Sequence, residues 1–236
     1  MTFTDVAGTP SGRPLSDTPR STIGRLRERA ALDREALYAV LDAALVGHLG
    51  LVVDGAPVVL PLLFGRDGDT VYLHGSTGAR SLRLAGDGVP VCLTVTHVDG
   101  IVYARSAFHH SMNYRSAVVH GTARLLGGAE ALHGLEVLTE HVAPGSWAHT
   151  RRPTAKEQAA TAVLALPLGE ASVKIRDAGP HDDAEDVAAA QSWAGVLPLE
   201  QRWGAPVPSA DLEPGRGVPP HVAQRARPGA AAQQPA

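Results

Sequence analysis

The sequence predicts a mainly antiparallel β-barrel of six or more strands, decorated by helices. Three observations predict it. Apolar runs of strand length recur through the middle of the chain. Asp-Gly dipeptides separate several of them, at Asp54-Gly55, Asp67-Gly68 and Asp99-Gly100. Helical periodicity is confined to short stretches between the runs.

The elements follow in order. Asp33 stands as an N-cap before Leu37, Val40, Leu41, Ala44 and Leu45, which form one stripe of an amphipathic helix. The period then changes: 46–53 and 56–64 flank the first Asp-Gly turn. The next strands are expected at 70–74, at 91–98 and 101–107 on either side of Asp99-Gly100, and at 114–126. A helix is expected over 76–85, between the third and fourth strands. Leu132, Leu135, Leu138 and Val142 repeat at helical spacing before Pro144-Gly145. Thr154 and Glu157 fit a capping box. Two more strands, 163–168 and 171–176, complete the series.

Composition bounds the rest. The chain has 236 residues, 44% of them apolar, which supports one domain with a core. Residues 1–24 read as a polar tail without the apolar segment of a signal peptide, and 205–236 as a Pro- and Ala-rich tail, leaving a domain over 25–204. No run approaches the roughly 18 apolar residues of a membrane helix. A net charge of −3 gives no electrostatic reason for a nucleic-acid partner. The expectation is a cytoplasmic protein with neither membrane nor nucleic acid as partner. Cys92, the single cysteine, excludes an intrachain disulfide and fits inert packing. There is no His-Glu-x-x-His, no nucleophile elbow and no other metal motif, so no metal is expected.

Two stretches carry chemistry. In 71–81 a strand runs into His74-Gly75, and Ser76 or Thr77 opens the expected helix. Hydroxyls at Ser76 and Thr77, with Arg80 one turn on, suit a phosphate, although a capped helix with solvated arginines fits the same spacing. The second stretch, 104–116, gathers Arg105, His109, His110, Asn113, Tyr114 and Arg115, and a solvated loop is its plainer reading. Trp147, Trp193 and Trp203 read as cover for the core. The acidic run 182–186 reads as a solvated helix start.

Taken together, Arg66-Asp-Gly-Asp69, Tyr72-Leu-His-Gly-Ser-Thr-Gly-Ala-Arg80, the 104–116 stretch and Trp193-Ala-Gly-Val-Leu-Pro198 carry a resemblance. Over about 25–200 the chain resembles the FMN-binding split-barrel proteins related to pyridoxamine 5′-phosphate oxidase, in particular the branch of the nitroimidazole-resistance reductases. The resemblance implies a homodimer with a flavin between the two barrels and a small organic substrate. It implies that Leu73, His74 and Arg80 hold the flavin phosphate and ribityl chain, which agrees with the anion site read from Ser76, Thr77 and Arg80. Ser116, five residues before Gly121, would touch the flavin, 58–63 would line the ring, and Trp193 would sit near the partner subunit's site. His74 could instead donate a proton to substrate as the catalytic residue. The true oxidase has an Arg-x-His near its C-terminus for the vitamer phosphate, and nothing after Trp193 supplies it. An FMN-dependent oxidoreductase outside vitamin B6 chemistry is therefore expected. The alternatives are a deazaflavin enzyme, or a flavin or haem carrier or sensor with His109 or His110 as axial ligand.

Overall fold

The computed structural model describes residue 15, residues 18–189 and residues 191–225. Parts of both expected tails, 1–14, 16–17 and 226–236, lie outside the described residues. In chain order the elements are β1 (Ala30–Ala31), α1 (Arg34–Asp42), β2 (Val46–Val53), β3 (Ala56–Asp67), β4 (Thr70–Ser76), α2 (Arg80–Gly86), β5 (Pro90–Tyr103), β6 (Ser111–Thr122), β7 (Arg124–Leu125), α3 (Gly128–Val142), α4 (Ser146–His149), α5 (Ala155–Ala160), β8 (Thr161–Pro167), β9 (Glu170–Arg176), α6 (Ala184–Ala189), β10 (Gly195–Pro198) and α7 (Pro220–Ala223). Ten antiparallel strands form one sheet in the order β1-β9-β6-β5-β2-β3-β4-β8-β7, with β10 paired to β5. Mainly antiparallel β-structure with helices is what the sequence predicts.

Local chemistry explains several elements directly. The Asp33 carboxylate accepts the Ala36 N–H and starts α1, whose Leu37, Val40 and Leu41 are buried. Asp54 and Gly55 both have positive φ, 53° and 77°, as a type I′ turn requires, and close the β2–β3 hairpin. Thr154 and Glu157 make the reciprocal capping box that opens α5.

Two expectations are corrected here. The chain does not turn at Asp99-Gly100: β5 runs straight through, with a bulge between Val98 and Gly100 where it pairs with β6. Gly100 is needed for a different reason. A Cβ there would lie 2.9 Å from the Leu197 carbonyl oxygen, so glycine lets β10 approach at backbone distance. The helix expected from Ser76 begins only at Arg80. The Ser76 Oγ accepts the Gly78 N–H and the Thr77 N–H donates to the Ala160 carbonyl, so these residues are held in a turn against the end of α5.

Alternation along the strands divides the sheet into two faces. Leu49, Leu51, Phe64, Val71, Leu73, Leu93, Val95, Val119, Leu164 and Leu166 face a closed core with α1 packed into it. On the outer face, α3 covers β3, β4 and β8, lying over Gly65, Tyr72 and Val163. Beyond the edge of α3 the outer face of β2 and β3 is open: Val46, Val52 and Val59 are 50%, 57% and 62% exposed. Among the described residues, no helix is long and apolar enough to cross a membrane.

Candidate cofactor site

Strand register brings distant residues into one row. Ser116 on β6 is opposite Thr96 on β5. Val46 on β2 is opposite Leu63 on β3. The pairing of His48 with Thr94, carried two residues further, aligns Thr96 with Val46. That of Phe64 with Leu73, carried one further, aligns Leu63 with His74. Ser116, Thr96, Val46, Leu63 and His74 therefore share one outward-facing row across five strands, about 19 Å long at roughly 4.8 Å per strand. Thr96 and Val46 help line a cavity of about 720 Å³, closed on its far side by Leu199, Gln201, Arg202 and Trp203.

The phosphate end of the expected site lies beside this row. Ser76 and Thr77 are exposed at the end of β4, and Arg80 begins α2. The Arg80 guanidinium pairs with the Asp54 carboxylate at 2.6 Å, and both side chains are well exposed. Such a pair contributes at most about 1 kcal/mol, so an incoming phosphate can displace Asp54. The Leu73 side chain is wholly buried in the core, and a bound group meets its backbone at most. The Ser116 Oγ donates to the Lys174 carbonyl at 3.4 Å, a long bond that leaves it accessible to a second partner. An open apolar strip bordered by hydroxyls and a weakly held arginine fits a flavin nucleotide, whose ring is apolar and whose phosphate is anionic.

His74 is the unusual group. It sits on β4 opposite Val163, and beside it a cavity of about 410 Å³ is lined by Leu135, Arg151, Pro153, Glu157 and Thr161. Its Nδ1 is buried and has no hydrogen-bond partner among the described residues. A bare buried polar nitrogen costs about 1–3 kcal/mol. Burial also holds the imidazole below its ordinary pKa, which favours the neutral ring. Across the cavity Arg151 forks onto Glu157 at 2.7 and 2.6 Å, and that pairing pushes the Glu157 carboxyl down to about 2. An imidazole held toward its neutral form at the edge of a cavity is of the chemical type that exchanges a hydrogen bond with a bound group.

The second basic stretch is split: Arg115 lines the cavity of about 720 Å³ together with Thr96 and Val46, whereas Arg105, His109 and His110 do not. The Arg105 N–H and guanidinium both bind Asp182, at 2.7 and 2.6 Å. Asp182 is thus a buried anchor rather than part of a solvated run, and the Arg105 backbone N–H is the main cause of its lowered carboxyl pKa. His109 bonds Asp183, and His110 bonds the Ser106 carbonyl. Arg115 forks onto Asp99 at 2.9 and 2.8 Å. The contacts to Asp182 and Asp183 draw the 104–110 loop onto the segment after β9. Asp182→Ala should therefore make 177–189 much more susceptible to limited proteolysis, read by the site and rate of the first cut. An unchanged rate would show that other contacts hold the segment.

The three tryptophans differ. Trp147 is buried, with the Arg152 guanidinium over its ring. Trp193 and Trp203 do not cover the core, being 69% and 44% exposed. Trp193 packs beside Tyr103 and against Gly195 at the β5–β10 arm. Among the described residues nothing links it to the row. Cys92 lies on the outer face near Thr94. No group of three His, Cys, Asp or Glu residues that could hold a metal ion occurs among the described residues.

Comparison with known proteins decides the family. The sequence model described as pyridoxamine 5′-phosphate oxidase matches residues 33–175. The chain belongs to the pyridoxamine 5′-phosphate oxidase family. This family member is similar to the FAD and haem binding protein of Mycobacterium smegmatis, with 41% identity over 82% of this chain and 95% of that one and a TM-score of 0.80. It is similar to the flavocytochrome Anf3 of Azotobacter vinelandii, with 37% identity over 89% and 98% and a TM-score of 0.83. A 5-nitroimidazole antibiotic resistance protein of Bacteroides thetaiotaomicron shares the fold, at 21% identity over 62% and 86% and a TM-score of 0.51. No curated protein matches the chain. The fold is therefore the split barrel of this family.

Proposed function

We propose that this family member is a flavin-binding redox protein that also carries haem. The single observation that carries it is similarity of 41% and 37% identity, over more than four fifths of the chain, to two proteins whose names join a flavin with haem or cytochrome. The geometry supports the flavin half, in the row from Ser116 to His74 with Arg80 at its end, and the haem half rests on the names of the two relatives. A bound flavin would supply hydride or single-electron chemistry, and the protein supplies binding and orientation.

In this arrangement Val59, Pro61 and Leu63 support the ring, and Ser76, Thr77 and Arg80 hold the phosphate. FAD and FMN both present that phosphate, and release of the cofactor by heat, followed by chromatography, tells them apart. Recovery of neither flavin would overturn the proposal. The exposed valines of β2 and β3, with Trp193 standing off the domain, suit a homodimer in which the partner covers the open face. Sedimentation of the purified protein as a dimer is the expected result.

Vitamin B6 oxidation is not the proposed activity. A phosphorylated vitamer needs an anion clamp of its own, and Arg105 and Arg115, the arginines of the second basic stretch, are forked onto Asp182 and Asp99. With flavin, oxygen and pyridoxamine 5′-phosphate, the expected rate is far below the roughly 1–10³ per second typical of enzymes. Sustained turnover in that range would place the chain among the true oxidases.

A further inference from the structure

We propose that residues 199–225 form a strap that closes the large cavity over β2 and β5, with Trp203 as its cover and Arg225 as its latch. The consequence for the flavin rests on the flavin site proposed above. The cavity, of about 720 Å³, is lined by Thr96 and Val46, two residues of the outward row, and its far wall is Leu199, Gln201, Arg202 and Trp203. A small organic molecule exchanging electrons with a flavin on this row would enter here, so whatever moves 199–203 controls its access.

The strap is pinned at both ends. At the near end β10 pairs with β5 as far as Pro198 opposite Gly100, and the Leu199 N–H donates to the Asp99 carbonyl at 3.0 Å. At the far end α7 sits directly on the corner between α3 and α4. A Cβ at Gly145, whose φ is 81°, would lie 2.8 Å from the His221 Cβ, and the His221 ring stacks on that of His149 with centroids 4.4 Å apart. The Arg225 guanidinium lies over the Trp203 ring at 4.0 Å, which brings the end of the strap back to its beginning. Composition alone makes 205–236 a tail; its described part is a loop with two attachments.

Between the pins little holds it. Every residue from 201 to 220 is exposed, Val207 at 89%. Among the described residues the hydrogen bonds of 204–218 are local. The Leu212 N–H donates to the Ser209 carbonyl, the Arg216 N–H to the Glu213 carbonyl, and the Ser209 and Arg216 side chains to Asp211 and Glu213. A segment with so few buried contacts opens at low cost. The latch is weak as well. The Arg225 Nε and Nη2 are buried without a hydrogen-bond partner among the described residues, so stacking on the ring, not an ion pair, holds the guanidinium. Opening lets water take those nitrogens, which favours release. Trp203 then leaves the cavity while β10 stays paired.

The test uses the full-length protein with and without flavin. In the flavin-free protein Arg225→Ala and His221→Ala should each raise acrylamide quenching of the tryptophan fluorescence, and no rise should follow where Trp203 is already replaced by Phe. With flavin bound, the same two variants should speed flavin release about twofold to fivefold, the worth of a cation–π contact at an exposed site. Arg216→Ala, which removes a pair within the middle of the strap, should change neither reading. Circular dichroism on the same samples reports whether the variants fold. Unchanged quenching in both variants overturns the latch, and raised quenching with unaltered flavin release overturns the closure over the flavin. A wild-type chain that takes up no flavin strikes the proposed function by itself, and the quenching measurement still decides the strap.

Discussion

Phe64→Ala is expected to destabilise the protein by about 3–5 kcal/mol, the cost of emptying a large aromatic site in a packed core. For a domain of this size that lowers the thermal midpoint by roughly 6–20 °C. Phe64 is fully buried, stands opposite Leu73 on β4, and packs beside Gly47 and the His141 ring at a centroid distance of 5.2 Å. It lies immediately next to Leu63, so the residue that sets the inner packing of β3 also sets the outward direction of the proposed flavin strip. Thermal unfolding followed by circular dichroism reads the effect. A shift below about 2 °C would mean that β3 is held by something other than this core contact.

Arg80→Ala should weaken flavin binding tenfold to a hundredfold, while Arg83→Ala leaves it nearly unchanged. A charge-assisted contact to phosphate is worth about 1.5–3 kcal/mol, which converts to that range of affinity. Arg80 is the first residue of α2 beside Ser76 and Thr77, whereas Arg83 lies exposed a turn further along the helix. Because the Arg80–Asp54 pair is exposed, its loss should barely alter stability, which separates a binding defect from a folding one. Asp54→Asn should tighten flavin binding modestly by removing a competing carboxylate. Fluorescence quenching on flavin titration measures all three variants. Equal affinities for the two arginine variants would remove the phosphate from this loop.

Local signals in the sequence were enough for the elements whose cause is local. The Asp33 cap, the Asp54-Gly55 turn and the Thr154–Glu157 box each act within four residues, and each is present in the fold. Asp99-Gly100 misleads for the opposite reason. Its glycine answers to β10, almost a hundred residues away, and its aspartate answers to Arg115 on the neighbouring strand. The same limit applies to the second basic stretch, whose counter-charges at Asp182 and Asp183 are distant in sequence.

For the candidate site, residue types in 72–80 suggest the phosphate site proposed above, and only the family resemblance assigned 58–63 to the ring; in the fold Val58, Leu60 and Leu62 of that strand pack on the core, and Val59 is exposed. The partnerless state of His74 had no sequence signal, because it depends on what α3 and α5 fail to offer it. The larger cavity closed by 199–203 was equally hidden, since those residues carry no periodicity of their own.

The visible absorption spectrum of the freshly purified full-length protein tests the central claim most directly. Both a flavin doublet and a Soret band are expected, in amounts close to one of each per chain. A colourless protein that takes up neither flavin nor hemin on reconstitution would contradict the account.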